Sequence, residues 1–174
     1  VNLLYPEGQF GTRLSNGSDA SDARYIFTYL QEITKKIYRT EDDSVLQYGE
    51  DDEGKEIEPR FYTPIMSMIL VNGAIGIGTG YSTNIPKYNP LDIIDQHISI
   101  LDGKELSPMT PWYRSFSGAI VPVEGEPGQF DSVGTYERID DVTFRITELP
   151  VGQSFMGYKA FIESHHVDNP AAKD

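Results

Sequence analysis

Ser21-Asp22-Ala23-Arg24-Tyr25-Ile26-Phe27-Thr28 is the stretch at which an irregular, polar sequence turns into a periodic one. Residues 5–24 are rich in Gly, Ser, Asn and Asp, hold no sustained period and read as a long ordered loop. Loops of that length inside a domain usually carry function. Beyond it Ile26, Phe27, Leu30, Ile33 and Ile37 recur at helical spacing, and Lys35, Lys36 and Arg39 fall where positive charge complements a helix C-terminus. A helix is therefore expected over about 26–38, with Tyr25 at the junction between loop and helix.

Further along, Glu41-Asp42-Asp43 through Glu50-Asp51-Asp52-Glu53-Gly54-Lys55-Glu56 reads as a solvated acidic hairpin turning around Asp52-Glu53-Gly54. A flexible acidic loop is a poor scaffold for magnesium, which needs carboxylates on rigid elements. Ile65-Met66-Ser67-Met68-Ile69-Leu70-Val71, bounded by Pro64 and Gly73, is a buried strand or a short helix, and its period does not decide which. Asn89 and Pro90 open a second helix with Leu91, Ile94, Ile98 and Leu101 as its apolar stripe, and Asp102-Gly103 ends it. Strand patterns follow at about 117–123, 128–138 and 142–148, with Asp140-Asp141 as a hairpin turn, and a short helix over about 154–164 begins at Ser154. The expected fold class is α+β.

The chain has 174 residues, 39% of them hydrophobic, enough to expect a core. It holds no apolar run of roughly 18 residues and no secretory leader, so a soluble chain with no membrane partner is expected. The absence of cysteine excludes disulfides and cysteine metal sites and fits a reducing compartment. Asn16-Gly17-Ser18 is formally a glycosylation sequon but reads as part of a turn. Val1 stands in what reads as the middle of an element, so the chain is expected to be cut from a longer polypeptide.

A net charge of −13 argues against a polyanionic partner, whose binders usually carry a basic face. Its location weakens that objection. Residues 41–60 hold nine acidic side chains against two basic, and residues 124–174 ten against four. Residues 1–40 and 61–123 are each within one charge of neutral.

A tyrosine that attacks a phosphodiester must lie on accessible backbone, and its phenol, protonated at neutral pH, needs help to become nucleophilic. A neighbouring guanidinium binds phosphate bidentately and stabilises negative charge in the transition state. Tyr25 and Arg24 supply that pair. The run Gly8-Gln9-Phe10-Gly11-Thr12-Arg13, followed by Ser21 through Thr28, closely resembles the active-site segment of type IIA DNA topoisomerases, in the eukaryotic and large-DNA-virus form. The resemblance implies that Tyr25 forms a covalent link to a DNA 5′ phosphate, that Arg24 stabilises the scissile phosphate, and that Gln9 and Arg13 belong to the DNA-binding segment.

Asn72-Gly73-Ala74-Ile75-Gly76-Ile77-Gly78-Thr79-Gly80-Tyr81-Ser82 invites a nucleotide-binding reading, which fails on detail. A dinucleotide fingerprint starting at Gly76 and Gly78 needs glycine or alanine where Tyr81 stands, and the Gly-Lys-Ser/Thr ending of a P-loop is missing. Glycines also let a backbone approach another surface while presenting one side chain, and an apolar wedge between base pairs bends DNA. The same topoisomerase family carries this glycine motif, and the resemblance assigns the wedge to Ile77, between Gly76 and Gly78. Ile75 stands where family members often have glutamate, which leaves two candidate apolar wedges.

The similarity continues through Pro108-Met109-Thr110-Pro111-Trp112-Tyr113, Phe116-Ser117-Gly118 and Ile146-Thr147-Glu148-Leu149-Pro150-Val151, and weakens after Pro150, with Phe155 at a usual tryptophan. It implies that residues 1–40 end a winged-helix domain, that 41–60 form an acidic connector, and that 61–174 belong to a mixed α/β tower domain. The family's Glu and Asp-x-Asp metal motif, its histidine before the tyrosine and its ATPase module have no counterpart here. The reading is thus a fragment of an ATP-dependent, Mg2+-requiring topoisomerase II that acts on double-stranded DNA as a homodimer. The fragment itself is expected to bind neither Mg2+ nor ATP and to be inactive alone. A nuclear location is expected for a eukaryotic source, and a viral source is the other option. The rival readings are a non-catalytic DNA-bending or scaffold module of the same fold and a nucleotide-binding enzyme built on the glycine segment.

Overall fold

The computed structural model describes residues 1–166, and these form five two-stranded ribbons and four α-helices. β1 (Leu4–Gly8) pairs with β2 (Ile26–Leu30), β3 (Tyr48–Glu50) with β4 (Glu56–Pro59), and β5 (Ala74–Gly78) with β6 (Tyr81–Ile85). β7 (Ala119–Pro122) pairs with β8 (Phe130–Val133), and β9 (Thr135–Arg138) with β10 (Phe144–Glu148). The helices are α1 (Glu32–Ile37), α2 (Met68–Asn72), α3 (Pro90–Leu101) and α4 (Phe155–Ser164). Mixed helix and sheet is thus the observed class. The chain divides into two compact units, one of Val1–Tyr5 with Thr28–Trp112, the other of Pro6–Phe27 with the described residues from Tyr113 onward.

The expected helix over 26–38 is replaced by a strand followed by a six-residue helix. Ile26, Phe27, Thr28 and Tyr29 are β-branched or aromatic, types that lose rotamer freedom in a helix and pack well on a pleated surface. β1 supplies the partner, and the Tyr5 and Tyr29 rings stack across it with centroids 4.9 Å apart. Helix begins only at Glu32, where Lys35 Nζ reaches Glu32 Oε1 at 3.3 Å.

Other expectations hold. The acidic block turns as a hairpin, in which Asp51 Oδ1 accepts from the Glu53 and Lys55 backbone N–H groups at 3.0 and 2.8 Å. Of the apolar run 65–71, Met68 onward forms the short helix α2, ended by Gly73 at φ +68°. Asn89 Oδ1 caps α3 by accepting from Leu91 N–H at 3.0 Å, and Ser154 Oγ caps α4 by accepting from Gly157 N–H at 3.0 Å. Asn16 and Gly17, at φ +56° and +81°, form the turn read from the sequon.

The core departs from expectation. Among the described residues its buried apolar members are Ile37, Val71 and Ile93, joined by Thr34, all in the first unit. A two-stranded ribbon has one partner and lacks the second layer that would cover its apolar face. Phe27, Leu30, Val133 and Phe144, all on ribbon strands, accordingly stay exposed. The predicted α3 stripe is also displaced: Leu91, Ile98 and Leu101 are exposed, while Ile93 is 1% accessible and His97, one turn on, reaches Ser67 Oγ through Nε2 at 3.3 Å. α3 packs on α2, so the face toward α2 is the inward one.

Candidate nucleic-acid interface

Tyr25 closes a single 3-10 turn, Ala23–Tyr25, that runs straight into β2. Its N–H donates to Asp22 C=O at 2.9 Å and its C=O accepts from Gln9 N–H at 3.1 Å. Gln9 is tied in turn to Ser21, whose N–H donates to Gln9 C=O at 3.0 Å and whose hydroxyl donates to Gln9 Oε1. Gly8, at φ +112°, passes under this junction so closely that a Cβ there would overlap the Tyr25 carbonyl oxygen. The backbone carrying Tyr25 is held from both sides, yet the residue remains 48% exposed.

Arg24 stands beside it, with Cζ 5.1 Å from the centre of the Tyr25 ring. Its Nη2 lies 3.0 Å from Asp22 Oδ2, and both side chains are mostly in solvent. A guanidinium over an aromatic face gains modest cation–π attraction and keeps its remaining N–H donors available for an incoming anion.

The preceding loop is fastened by Asp19. Its carboxylate accepts from the Ser15 hydroxyl, from Thr12 N–H at 2.8 Å and from Thr12 Oγ1 at 2.9 Å. Those bonds, the Ser15 one foremost, hold its pKa down at about 2. Arg13 lies on the turn this carboxylate closes, is exposed, and makes no ion pair among the described residues. Gln9, Arg24 and Tyr25 are therefore brought together through backbone bonds, while Arg13 sits on the neighbouring turn. Sequence reasoning missed Asp19, Ser21 and Asp22. Their signal was short polar side chains in a glycine loop, which hydrogen-bond local backbone readily.

In the other unit the glycine-rich segment is the β5–β6 hairpin, with Thr79-Gly80 at its tip and Gly80 at φ +87°. The glycine turn leads into strand β6 and not into a helix N-terminus, so it lacks the geometry of a phosphate loop, which argues against the nucleotide-binding reading of this segment. The register is regular from Ala74 opposite Ile85 to Gly78 opposite Tyr81. Ile77 is 93% exposed and Ile75 84% exposed, so neither is a core residue. Gly76 has open space where a Cβ would stand, and Gly78 lies against the Tyr81 ring.

Among the described residues no group of three or more His, Cys, Asp or Glu side chains could hold a metal ion. No helix among them is long and apolar enough to cross a membrane.

Arg24 and Tyr25 thus form an exposed pair on a braced turn within a mixed helix-and-sheet fold. The chain is similar to the crystal structure of the Plasmodium falciparum topoisomerase II DNA-binding, cleavage and re-ligation domain, with a TM-score of 0.86, 45% identity, and coverage of 95% of this chain and 22% of that one. Residues 1–173 match the DNA gyrase/topoisomerase IV A-subunit family, and the chain belongs to that family. It is 47% identical over 173 residues to DNA topoisomerase 2 of Arabidopsis thaliana, covering 98% of this chain and 12% of the relative. It is also 47% identical over 174 residues to DNA topoisomerase 2 of Pisum sativum, covering 100% of this chain and 12% of the relative. The chain thus spans about one-eighth of the length of these curated relatives.

Proposed function

We propose that this chain is the tyrosine-bearing part of a type II DNA topoisomerase, which passes one duplex through a transient double-strand break in another. The exposed Tyr25 phenol beside the Arg24 guanidinium, on a junction braced by Gly8, Gln9 and Ser21, carries this reading. In the proposed step Tyr25 Oη gives up its proton and bonds to phosphorus, the bond from phosphorus to the 3′ oxygen breaks, and that oxygen takes a proton to become a 3′ hydroxyl. Phosphorus exchanges one ester bond for another, so resealing is the same step reversed and needs no separate energy source. Arg24 offers N–H donors to the phosphate oxygens as charge moves across them. Gln9 holds the Tyr25 backbone and Arg13 presents a further charge to the DNA backbone, while Ile77, flanked by Gly76 and Gly78, wedges the duplex.

The finer assignments also belong to the proposal: residues 1–40 as the end of a winged-helix domain, 41–60 as an acidic connector, and 61–174 as part of a tower domain. Mg2+ and ATP serve the full-length enzyme and are bound outside the described residues. Its working form is a homodimer, since a double-strand break needs two tyrosines, and its location is the nucleus. The test is Tyr25→Phe in the full-length polypeptide. Covalent protein–DNA adducts trapped by denaturation should vanish while duplex binding persists. Adducts that survive the substitution refute the assignment of Tyr25, whereas a wild type that forms none favours a bending or scaffold role.

A further inference from the structure

Ile75 and Ile77 are two positions apart in a strand of unbroken register, so their side chains leave the same face of the β5–β6 ribbon. Both are almost fully in solvent, at 84% and 93%. Opposite them on that face stand Asn84 and Ser82, both exposed and both polar. Residues i and i+2 of a strand are separated by about 6.6–6.8 Å. Stacked base pairs repeat at about 3.4 Å, so the same span covers two base steps.

Charge identifies the occupant. In a chain of net charge −13, residues 61–86 contain no Asp, Glu, Lys or Arg, and Arg60 and Lys87 flank them. A carboxylate-free ribbon between two cations is compatible with a polyanion, as the acidic stretches 41–60 and 124–174 are not. Two large aliphatic side chains in water are equally unlike an ordinary solvated hairpin tip.

Resting on the reading that this chain works on duplex DNA, we propose that Ile75 is a second wedge. It enters the minor groove beside Ile77 and opens a base step two steps away from the one Ile77 opens, with Asn84 and Ser82 hydrogen-bonding the groove edge between them. Each inserted side chain unstacks one step, and two insertions in line bend the duplex further than one.

The experiment places 2-aminopurine, whose fluorescence rises on unstacking, at successive positions across the duplex site bound by the full-length protein. Wild type should brighten two positions two steps apart. Ile75→Ala should quench one and Ile77→Ala the other, each weakening duplex affinity about five- to tenfold. Thermal melting of each variant checks that the exposed substitution leaves the fold intact. If Ile75→Ala keeps both signals, or wild type brightens one position only, Ile75 is no wedge. Adduct formation at Tyr25, scored in the same samples, separates the two levels: adducts without a second bright position overturn the second wedge alone, and absence of adducts in wild type overturns the topoisomerase reading beneath it.

Discussion

Arg24 is ion-paired to Asp22 at 3.0 Å, across a single intervening residue. The guanidinium assigned to the scissile phosphate is therefore already engaged by a carboxylate, and a phosphate must compete for it. Exposed pairs of this kind are weak, so the competition is modest and screened by salt. Asp22→Asn in the full-length enzyme should tighten duplex binding about two- to fivefold in dilute salt, with the gain fading at high ionic strength. Fluorescence anisotropy at two salt concentrations measures it. Unchanged affinity at low salt would mean that Arg24 does not meet the phosphate.

Gly8 has a different relation to the site. Its φ of +112° is costly for an L side chain, and an added Cβ would collide with the Tyr25 carbonyl. The collision falls on backbone, so Tyr25 must move. Misplacing a reacting group by about 1 Å can cost about 10²-fold in rate. Gly8→Ala should lower the single-turnover cleavage rate by about that factor while duplex affinity changes little. A cleavage rate within twofold of wild type would show that Gly8 does not set the tyrosine's position.

Asp19 gives the loop a pH signature. Its pKa falls from the ordinary 3.8 to about 2 because Ser15 and Thr12 donate to the charged form. A carboxyl depressed on folding contributes stability that is fully present above its unfolded pKa and lost as pH falls through the folded one. The loop should accordingly stay fastened at pH 4 and loosen toward pH 2. Carboxyl-carbon NMR should place the Asp19 midpoint near 2, and a midpoint at 3.8 would mean that the bonds to Ser15 and Thr12 are not populated. Asp19→Ala should speed exchange of the Thr12 amide about five- to tenfold at neutral pH.

Legibility in the sequence was uneven for physical reasons. Caps are local, so Asn89, Pro90 and Ser154 announced α3 and α4 correctly, and the turn residues of the acidic hairpin announced β3 and β4. The stretch after Tyr25 was misread because Ile26, Phe27, Leu30 and Ile33 fit a helical period, while β-branched and aromatic content, together with a partner strand some twenty residues upstream, decided for strand. Pairing partners of that kind are invisible to a local window. The α3 stripe was misread because periodicity reports which faces are apolar and not which one meets a neighbour within this chain. Of the site, Arg24, Tyr25 and the glycine motif could be read as motifs, whereas the hydrogen-bonding roles of Gln9, Ser21 and Asp19 depend on how the loop closes.

That displaced stripe makes the last prediction. Ile93 is 1% accessible on the face of α3 that meets α2, whereas Leu101, a member of the predicted stripe, is 86% exposed. The two residues should therefore respond oppositely to truncation in the 174-residue chain. Ile93→Ala removes buried methyl groups and leaves a cavity, costing about 2–4 kcal/mol. Leu101→Ser changes a solvated side chain and should stay within about 0.5 kcal/mol of wild type. Urea unfolding followed by far-UV circular dichroism compares them, with midpoints converted through a common slope. The reverse order, Leu101→Ser costly and Ile93→Ala mild, would restore the sequence-derived stripe as the packed face. The predicted order leaves Leu91, Ile98 and Leu101 facing outward, in keeping with their exposure.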